Sequence, residues 1–207
     1  MKKHFFIFRH GQTIWNAEGR PHGQHSYPAP LTVTGQEQAG KLAEELADKK
    51  IKIIITSDLL RAKQTAEIVA NALKVDVVED QRLREVDYGK LNGLYTLERE
   101  WAFPDFRKCY EDFDFPFPEG ECLQQVADRM LQAIKSYATT YHYRNIGVST
   151  HGHAIEALIR SVFGHKYSSL KNCSYIHITY DHVKDVFEAI KLPEIRESHF
   201  QLTDIAY

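Results

Sequence analysis

The segment that most constrains the fold is the N-terminal run from Phe5 to Phe8, which leads directly into Arg9, His10 and Gly11. A short apolar run bounded by charge and by a turn is typical of a fully buried strand. Gly11 lets the backbone turn sharply where that strand ends. Because open α/β sheets bind ligands at the carboxyl ends of their strands, an arginine and a histidine placed there indicate a phosphate site. Taken alone, the pattern fits an ordinary strand with a polar exit equally well.

Bulk properties narrow the class of protein. A chain of 207 residues suits one domain, 1–207, with a substantial core. Its formal net charge of -2 gives no argument for nucleic acid or a membrane as a partner. The three cysteines are widely spaced without a C-x-x-C pair, so reduced thiols and a cytoplasmic location are expected. The apolar run after Lys2 and Lys3 is too short for the core of a signal peptide. No apolar run in the sequence approaches the ~20 residues that span a bilayer.

Apolar periodicity predicts strands alternating with helices. The predicted strands cover residues 5–8, 51–56, 75–78, 145–150, 175–180 and 183–190. The predicted helices cover residues 35–48, 59–73, 94–111, 123–141 and 155–164. Thr34 is expected to cap the first of these helices, with Glu37 completing a capping box. Such alternation favours an α/β fold, a three-layer α/β/α sandwich whose mostly parallel central sheet carries helices on both faces.

Two irregular stretches interrupt this pattern. The loop from Gly11 to Thr32 is rich in Gly, Pro and His, and loops longer than about 12–15 residues are often functional. The segment 92–122 interleaves aromatic and acidic side chains. We interpret it as a cap over a pocket, with an aromatic satellite core as the alternative.

Polar groups follow three of the predicted buried strands. They are Arg9 with His10, Ser57 leading into Arg61, and His151. Since the carboxyl ends of parallel strands meet at one edge of a sheet, we expect two arginines and two histidines in one pocket. An arginine at a helix N-terminus can share an anion with the helix amides. Metal binding by the histidines is the competing interpretation, but the arginines would repel a cation, so neither a metal nor a cofactor is expected.

Four motifs together resemble the histidine phosphatase or phosphoglycerate mutase-like superfamily, in its phosphatase branch. They are the Arg-His-Gly motif from Arg9 to Asn16, the stretches Ser57–Ala66 and Leu83–Gly89, and the histidine motif Ser149–Gly152. The motifs occur in the family's order between residue 5 and about residue 165. The chain departs from the family at Gln12, where Glu is usual and which is expected to line the pocket. It also departs in the loop 24–30, which lacks the usual Trp and Asp.

The resemblance implies a metal-independent mechanism through a phosphohistidine. His10 would be the nucleophile, and Glu85 would protonate the leaving oxygen and then activate water. Arg9, Arg61 and His151 would hold the phosphoryl oxygens. The expected substrate-binding residues are Gln12, Thr13, Asn16, His22, Gly23 and Gly152.

Three functions are weighed on this basis. The leading one is a phosphatase, a phosphoric monoester hydrolase acting on a small phosphorylated metabolite. A cofactor-dependent phosphoglycerate mutase is the alternative within the same family, although the stretch 86–93 resembles the phosphatase branch and the chain is short for a mutase. A non-catalytic phospholigand-binding module is the alternative of a different class. It predicts loss of His10, Glu85 or His151, and all three are present. Neither the substrate nor the oligomeric state follows from the sequence.

Overall fold

The strand that begins the chain lies inside a six-stranded sheet, as its apolar run predicts. The structure is a computed structural model that describes residues 2–25, 27–164 and 170–193. Its strands, in chain order, are β1 (Lys2–Arg9), β2 (Ile53–Thr56), β3 (Asp76–Glu79), β4 (Asn145–Thr150), β5 (Tyr175–Asp181) and β6 (Val186–Lys191). The spatial order is β3-β2-β4-β1-β5-β6.

The first four strands form the parallel part of the sheet. β1 and β2 both pair with β4 in parallel, and β3 pairs with β2 in parallel. In this register Arg9 lies opposite Thr150, and Thr56 lies opposite Ser149. The carboxyl ends of β1, β2 and β4 are therefore level at one edge. β5 and β6 add an antiparallel edge, so the mostly parallel sheet is confirmed.

Helices cover both faces of the sheet. They are α1 (Ile14–Ala17), α2 (Val33–Leu46), α3 (Leu60–Leu73), α4 (Thr96–Ala102), α5 (Lys108–Glu111), α6 (Leu123–Thr140) and α7 (Gly152–Phe163), with 3-10 turns at Ala47–Lys49, Gln81–Leu83, Gly89–Leu91 and Pro104–Arg107. Phe6 and Phe8 of β1 pack with α2 and α3, whereas Phe5 and Ile7 pack with α6 and α7. This alternation confirms the three-layer sandwich. Within the described ranges, no helix has the length and apolar character needed to cross a membrane.

The predicted cap of α2 was wrong by two residues. Thr32, rather than Thr34, accepts the hydrogen bond from the backbone N–H of Gly35, at 3.0 Å. The reason lies outside the helix, because the Thr32 N–H donates to the Gln12 carbonyl at 2.9 Å and fixes Thr32 in an extended conformation. Glu37 therefore takes no part in a capping box.

Two further local predictions differ from the structure. The helix expected over 94–111 is divided into α4, a 3-10 turn and α5. The cause is Pro104, which disfavours helical backbone at the residue before it, and Phe103 is accordingly extended. The long loop 11–32 contains the short helix α1, which is capped by Thr13 and Asn16 in a reciprocal pair.

The segment 92–122 packs into the main core. Phe106, Cys109 and Phe117 are buried among the side chains of α6 and α7. Arg160 of α7 also donates to the carbonyls of Tyr110 and Glu111, at 3.1 and 2.8 Å. The role of this segment as a cap stays a prediction, as does a domain spanning 1–207, because part of that range lies outside the described residues.

The two glycines of α2 provide a matched test of this packing. A Cβ on Gly35 would lie 2.1 Å from the Gln12 carbonyl oxygen, whereas a Cβ on Gly40 would meet nothing within 4 Å. We expect Gly35→Ala to lower the free energy of unfolding by about 1–3 kcal/mol, the usual range for overpacking. Gly40→Ala should raise it by about 0.5–1 kcal/mol, because alanine is the better helix former. Denaturant unfolding measures both, and a Gly35→Ala protein as stable as wild type would contradict the close approach.

Candidate active site

The level ends of β1, β2 and β4 bring the predicted arginines and histidines together. Arg9 and His10 leave β1, Arg61 lies in the first turn of α3, and His151 directly precedes α7. The rings of His10 and His151 are 5.2 Å apart between centroids. The Nε of Arg61 lies 3.2 Å from the Nε2 of His10. The convergence expected from topology is therefore present, and all four side chains are buried.

Arg61 connects the other groups of this cluster through hydrogen bonds. Its guanidinium donates to His10 Nε2 at 3.2 Å, to His22 Nδ1 at 2.7 Å and to the Gly23 carbonyl at 2.8 Å. Because a guanidinium has no acceptor, each contacted ring nitrogen must offer a lone pair. Both histidines are thereby held neutral, with their protons on the opposite ring nitrogens.

The proton of His10 lies on Nδ1, which is 2.7 Å from the Gly11 carbonyl and donates to it. The lone pair of Nε2 therefore faces the Nε–H of Arg61. Burial, and after it the charges of Arg61 and Arg9, keep the pKa of His10 well below its ordinary value. His10 is thus a neutral imidazole with one nucleophilic nitrogen, which is the form that attack on phosphorus requires.

His22 is held in the opposite tautomer. Burial, followed by the charge of Arg61, lowers its pKa to about 3. Since Nδ1 accepts from Arg61, the proton is on Nε2. This Nε2 is buried and has no hydrogen-bond partner in the part of the chain that the structure describes. It is a donor oriented by its neighbours but not satisfied by them.

Glu85 supplies the carboxyl group on the other side of the site. Oε1 accepts from the backbone N–H groups of Val86 and Ala154, both at 3.0 Å, and Oε2 accepts from that of His153 at 3.3 Å. Two of these amides, those of His153 and Ala154, belong to the first turn of α7. The carboxyl group is therefore fixed by backbone rather than by side-chain flexibility.

Arg129 of α6 fixes the backbone that carries Glu85. It donates to the carbonyls of Arg82, Arg84 and Glu85, at 2.9, 2.6 and 2.9 Å. It also forms a two-point ion pair with Glu121, at 2.8 and 2.9 Å. Sequence reasoning missed Arg129, because nothing near it in the chain marks a contact 44 residues away.

A cavity of about 430 Å³, including its open mouth, is lined by residues of the Arg61 cluster and by Glu85. Its lining consists of Arg9, Asn16, Gly19, Arg20, Pro21, His22, Gly23, Arg61, Glu85, Tyr88 and His153. His10 and His151 are 4% and 0% exposed and lie behind this lining. Because Arg61 Nε contacts His10 Nε2, a group that bonds to this nitrogen must displace that contact. Among the described residues, no group of three or more His, Cys, Asp or Glu side chains is arranged to hold a metal ion.

Three of the six expected substrate-binding residues line the cavity, namely Asn16, His22 and Gly23. The expectation that Gln12 lines it was wrong, because its Oε1 accepts from the Thr32 hydroxyl at 2.9 Å and its backbone N–H donates to Gln38.

Thr13 and Gly152 also lie outside the lining. Thr13 is fully buried as the cap of α1. Gly152 lies behind Arg9, with its Cβ position 3.5 Å from Arg9 Nε.

Five lining residues were not expected, namely Gly19, Arg20, Pro21, Tyr88 and His153. Arg20 is packed 4.1 Å over the Trp15 ring and donates to the Gly93 carbonyl. The Tyr88 hydroxyl is 2.8 Å from His153 Nδ1, which is itself 3.8 Å from Glu85 Oε2. His153 follows the strand-end motif by one residue, and that position was the available signal.

Comparisons with known proteins identify the family of this chain. The model of the histidine phosphatase superfamily (branch 1) matches residues 5–192. A Proteus mirabilis protein named "Probable phosphoglycerate mutase GpmB" is 39% identical over 188 residues, covering 84% of each chain. An Escherichia coli protein of the same name is 34% identical over 186 residues, again covering 84% of each chain.

Solved structures show the same fold. A mycobacterial glucosyl-3-phosphoglycerate phosphatase superposes with a TM-score of 0.83 at 25% identity, covering 91% of this chain and 98% of that one. Bacillus stearothermophilus YhfR superposes with a TM-score of 0.80 at 25% identity, covering 94% and 98%.

A substitution that preserves the positive charge tests whether the hydrogen-bond geometry of Arg61 is needed for activity. Arg61→Lys keeps a cation but loses the planar fork that serves three acceptors, so kcat/KM on an aryl phosphate should fall by about 10²–10³-fold. Arg84→Lys is the matched control, since Arg84 pairs with Asp58 outside the cavity lining and should change activity less than about threefold. Thermal unfolding checks that both variants are folded. Activity of Arg61→Lys close to that of the control would show that charge alone is enough.

Proposed function

Because this chain belongs to the histidine phosphatase superfamily, we propose that it is a metal-independent phosphatase that hydrolyses a small phosphorylated metabolite through a phosphohistidine. The observation that carries the proposal is the state of His10. A buried arginine donor faces its Nε2 and a carbonyl accepts from its Nδ1, so the ring is a neutral nucleophile. Glu85 borders the same cavity as Arg61.

In the first half-reaction the substrate's phosphoryl group enters between Arg61 and His10. The Nε–H of Arg61 passes from His10 Nε2 to a phosphoryl oxygen, which frees the nitrogen lone pair. That nitrogen then bonds to phosphorus while the bond from phosphorus to the leaving oxygen breaks. Glu85, in its protonated form, gives its proton to the leaving oxygen. The charge that develops on the phosphoryl oxygens is met by Arg9, Arg61 and the Nε2–H of His22.

In the second half-reaction Glu85 is a carboxylate and takes a proton from water. The water oxygen bonds to phosphorus, and the bond from phosphorus to His10 Nε2 breaks. Throughout both steps the Nδ1–H of His10 stays on the Gly11 carbonyl, at 2.7 Å in the resting structure. This contact stabilises the positive charge that the ring carries while it is phosphorylated.

A phosphoglycerate mutase is the second candidate, and the names of the relatives from Proteus mirabilis and Escherichia coli favour it. A mutase would return the phosphoryl group from His10 to the substrate rather than to water. The stretch 86–93, which resembles the phosphatase branch, supports hydrolysis. The name of the mycobacterial relative in structure describes a phosphatase as well.

One assay separates these reactions. With 3-phosphoglycerate and a trace of 2,3-bisphosphoglycerate, in excess EDTA, we expect phosphate release and little 2-phosphoglycerate. A panel of other phosphorylated metabolites under the same conditions then ranks substrates by phosphate release. Isomerisation that outpaces phosphate release would identify a mutase. Activity that is lost in EDTA and restored by a divalent metal would overturn the metal-independent mechanism.

The role of Glu85 predicts a dependence on the leaving group. Glu85→Gln keeps the shape of the side chain but removes the proton donor, a contribution of about 10²–10⁴-fold. We expect that loss in the phosphorylation rate of an alkyl phosphate, and a much smaller loss with p-nitrophenyl phosphate, whose leaving group needs little protonation. Single-turnover kinetics measures both rates.

Two controls complete this experiment. Glu79→Gln removes a carboxylate that pairs with Lys63 on the surface, and should leave both rates unchanged. His10→Ala removes the nucleophile, and should reduce turnover to background without forming a phosphoprotein. Equal losses on the two substrates in Glu85→Gln would exclude Glu85 as the acid.

A further inference from the structure

A buried serine contacts the histidine at the end of β4. The Oγ of Ser57 lies 2.9 Å from His151 Nε2, and both residues are fully buried. Ser57 is held by the sheet, since its backbone N–H donates to the Ser149 carbonyl at 3.0 Å. The contact therefore joins the end of β2 to the residue that precedes α7.

Counting hydrogens decides which partner donates. The Ser57 Oγ already accepts from the Leu59 N–H at 3.3 Å. Its own hydrogen needs an acceptor, and among the described residues the remaining partner is His151 Nε2. Ser57 therefore donates its O–H, and Nε2 of His151 is the lone-pair nitrogen.

The proton of His151 must then lie on Nδ1. Burial, followed by the charges of Arg61 and His10, keeps the pKa of His151 well below its ordinary value, so the neutral ring has one proton. The opposite arrangement, with Nε2–H donating to Ser57, would leave the serine hydrogen without an acceptor and Nδ1 without a donor. It would bury two unsatisfied groups where the first arrangement buries one.

This Nδ1 has no hydrogen-bond partner in residues 2–25, 27–164 and 170–193. Its ring lies beside that of His10, with 5.2 Å between the two centroids. We propose that Ser57 is a positioning residue, which fixes His151 in the tautomer that presents Nδ1–H to the phosphoryl group on His10. With the other tautomer a lone pair would face the phosphoryl oxygens and repel them. The tautomer of His151 is inferred from the structure alone. Its expected effect on the reaction rate rests on the proposed function.

The tautomer can be measured without any turnover. Two-bond ¹H–¹⁵N correlation spectra of the resting protein separate protonated from unprotonated ring nitrogens, and comparison with His151→Gln assigns the signals. We expect a protonated Nδ1 and an unprotonated Nε2 in wild type, and a shift toward protonated Nε2 in Ser57→Ala. A wild-type His151 protonated on Nε2, or on both nitrogens at neutral pH, overturns the inference whatever the enzyme catalyses.

Kinetics supplies the second readout. In single-turnover reactions with p-nitrophenyl phosphate, Ser57→Ala should lower the phosphorylation rate by about 10–100-fold, as expected for misdirecting one donor. Ser57→Thr, which keeps the hydroxyl, should recover most of the rate. Ser149→Ala is the matched control, because Ser149 is equally buried but donates to the Ala62 carbonyl at 2.9 Å, and it should change the rate less than about threefold.

The spectra and the kinetics together distinguish a failure of this inference from a failure of the proposed function. A rate in Ser57→Ala equal to that of Ser149→Ala overturns the positioning role. A wild-type spectrum with protonated Nδ1, together with a His10→Ala protein that still turns over substrate, would retain the tautomer and reject the phosphohistidine mechanism.

Discussion

The hydrogen bonds of one guanidinium determine both the local fold and the chemistry of this site. Arg61 is almost fully buried, and a buried cation is costly unless its donors are satisfied. It is satisfied by two neutral histidines and a carbonyl, not by a carboxylate. Among the described residues no carboxylate forms an ion pair with Arg61, so an anion can bind to it in the cavity. Arg61 also fixes the loop through Gly23, where a Cβ would lie 1.9 Å from Asn92 Oδ1.

Glu85 and the pair Arg61 and His10 are held by different elements of the fold. Glu85 is held by the amides of α7 and by Arg129 of α6, whereas Arg61 and His10 come from the opposite face and the ends of β2 and β1. In the proposed mechanism, this separation would allow Glu85 and His10 to lie on either side of a phosphoryl group without contacting each other. The same separation keeps Glu85 out of a direct salt bridge with Arg61 that would neutralise both.

The sequence predicted those parts of the fold that depend on local pattern. The alternation of apolar runs was enough for the sheet and the long helices, and the strand ends were enough to bring His10, Arg61 and His151 together. What it could not predict depends on contacts between distant segments. Thr32 and Thr34 are equivalent as caps until the carbonyl of Gln12 selects one. Gln12 lies within the Arg-His-Gly motif, yet its side chain accepts a hydrogen bond from Thr32 and lies outside the cavity lining.

In the proposed mechanism, the donors that surround His10 would stabilise the charge that a metal ion stabilises in other phosphoryl-transfer sites. Two imidazole N–H groups, on His22 and His151, are buried without an acceptor in the described part of the resting chain. A phosphoryl group bound at His10 would offer acceptors to these two donors. In the proposed reaction their contribution to the rate would come from the change during the reaction, because negative charge on the phosphoryl oxygens is redistributed as the old bond breaks. Fixed dipoles that need no reorganisation stabilise that charge more in a buried site than they would in water, and a substrate that lacks the phosphoryl group would leave them unsatisfied.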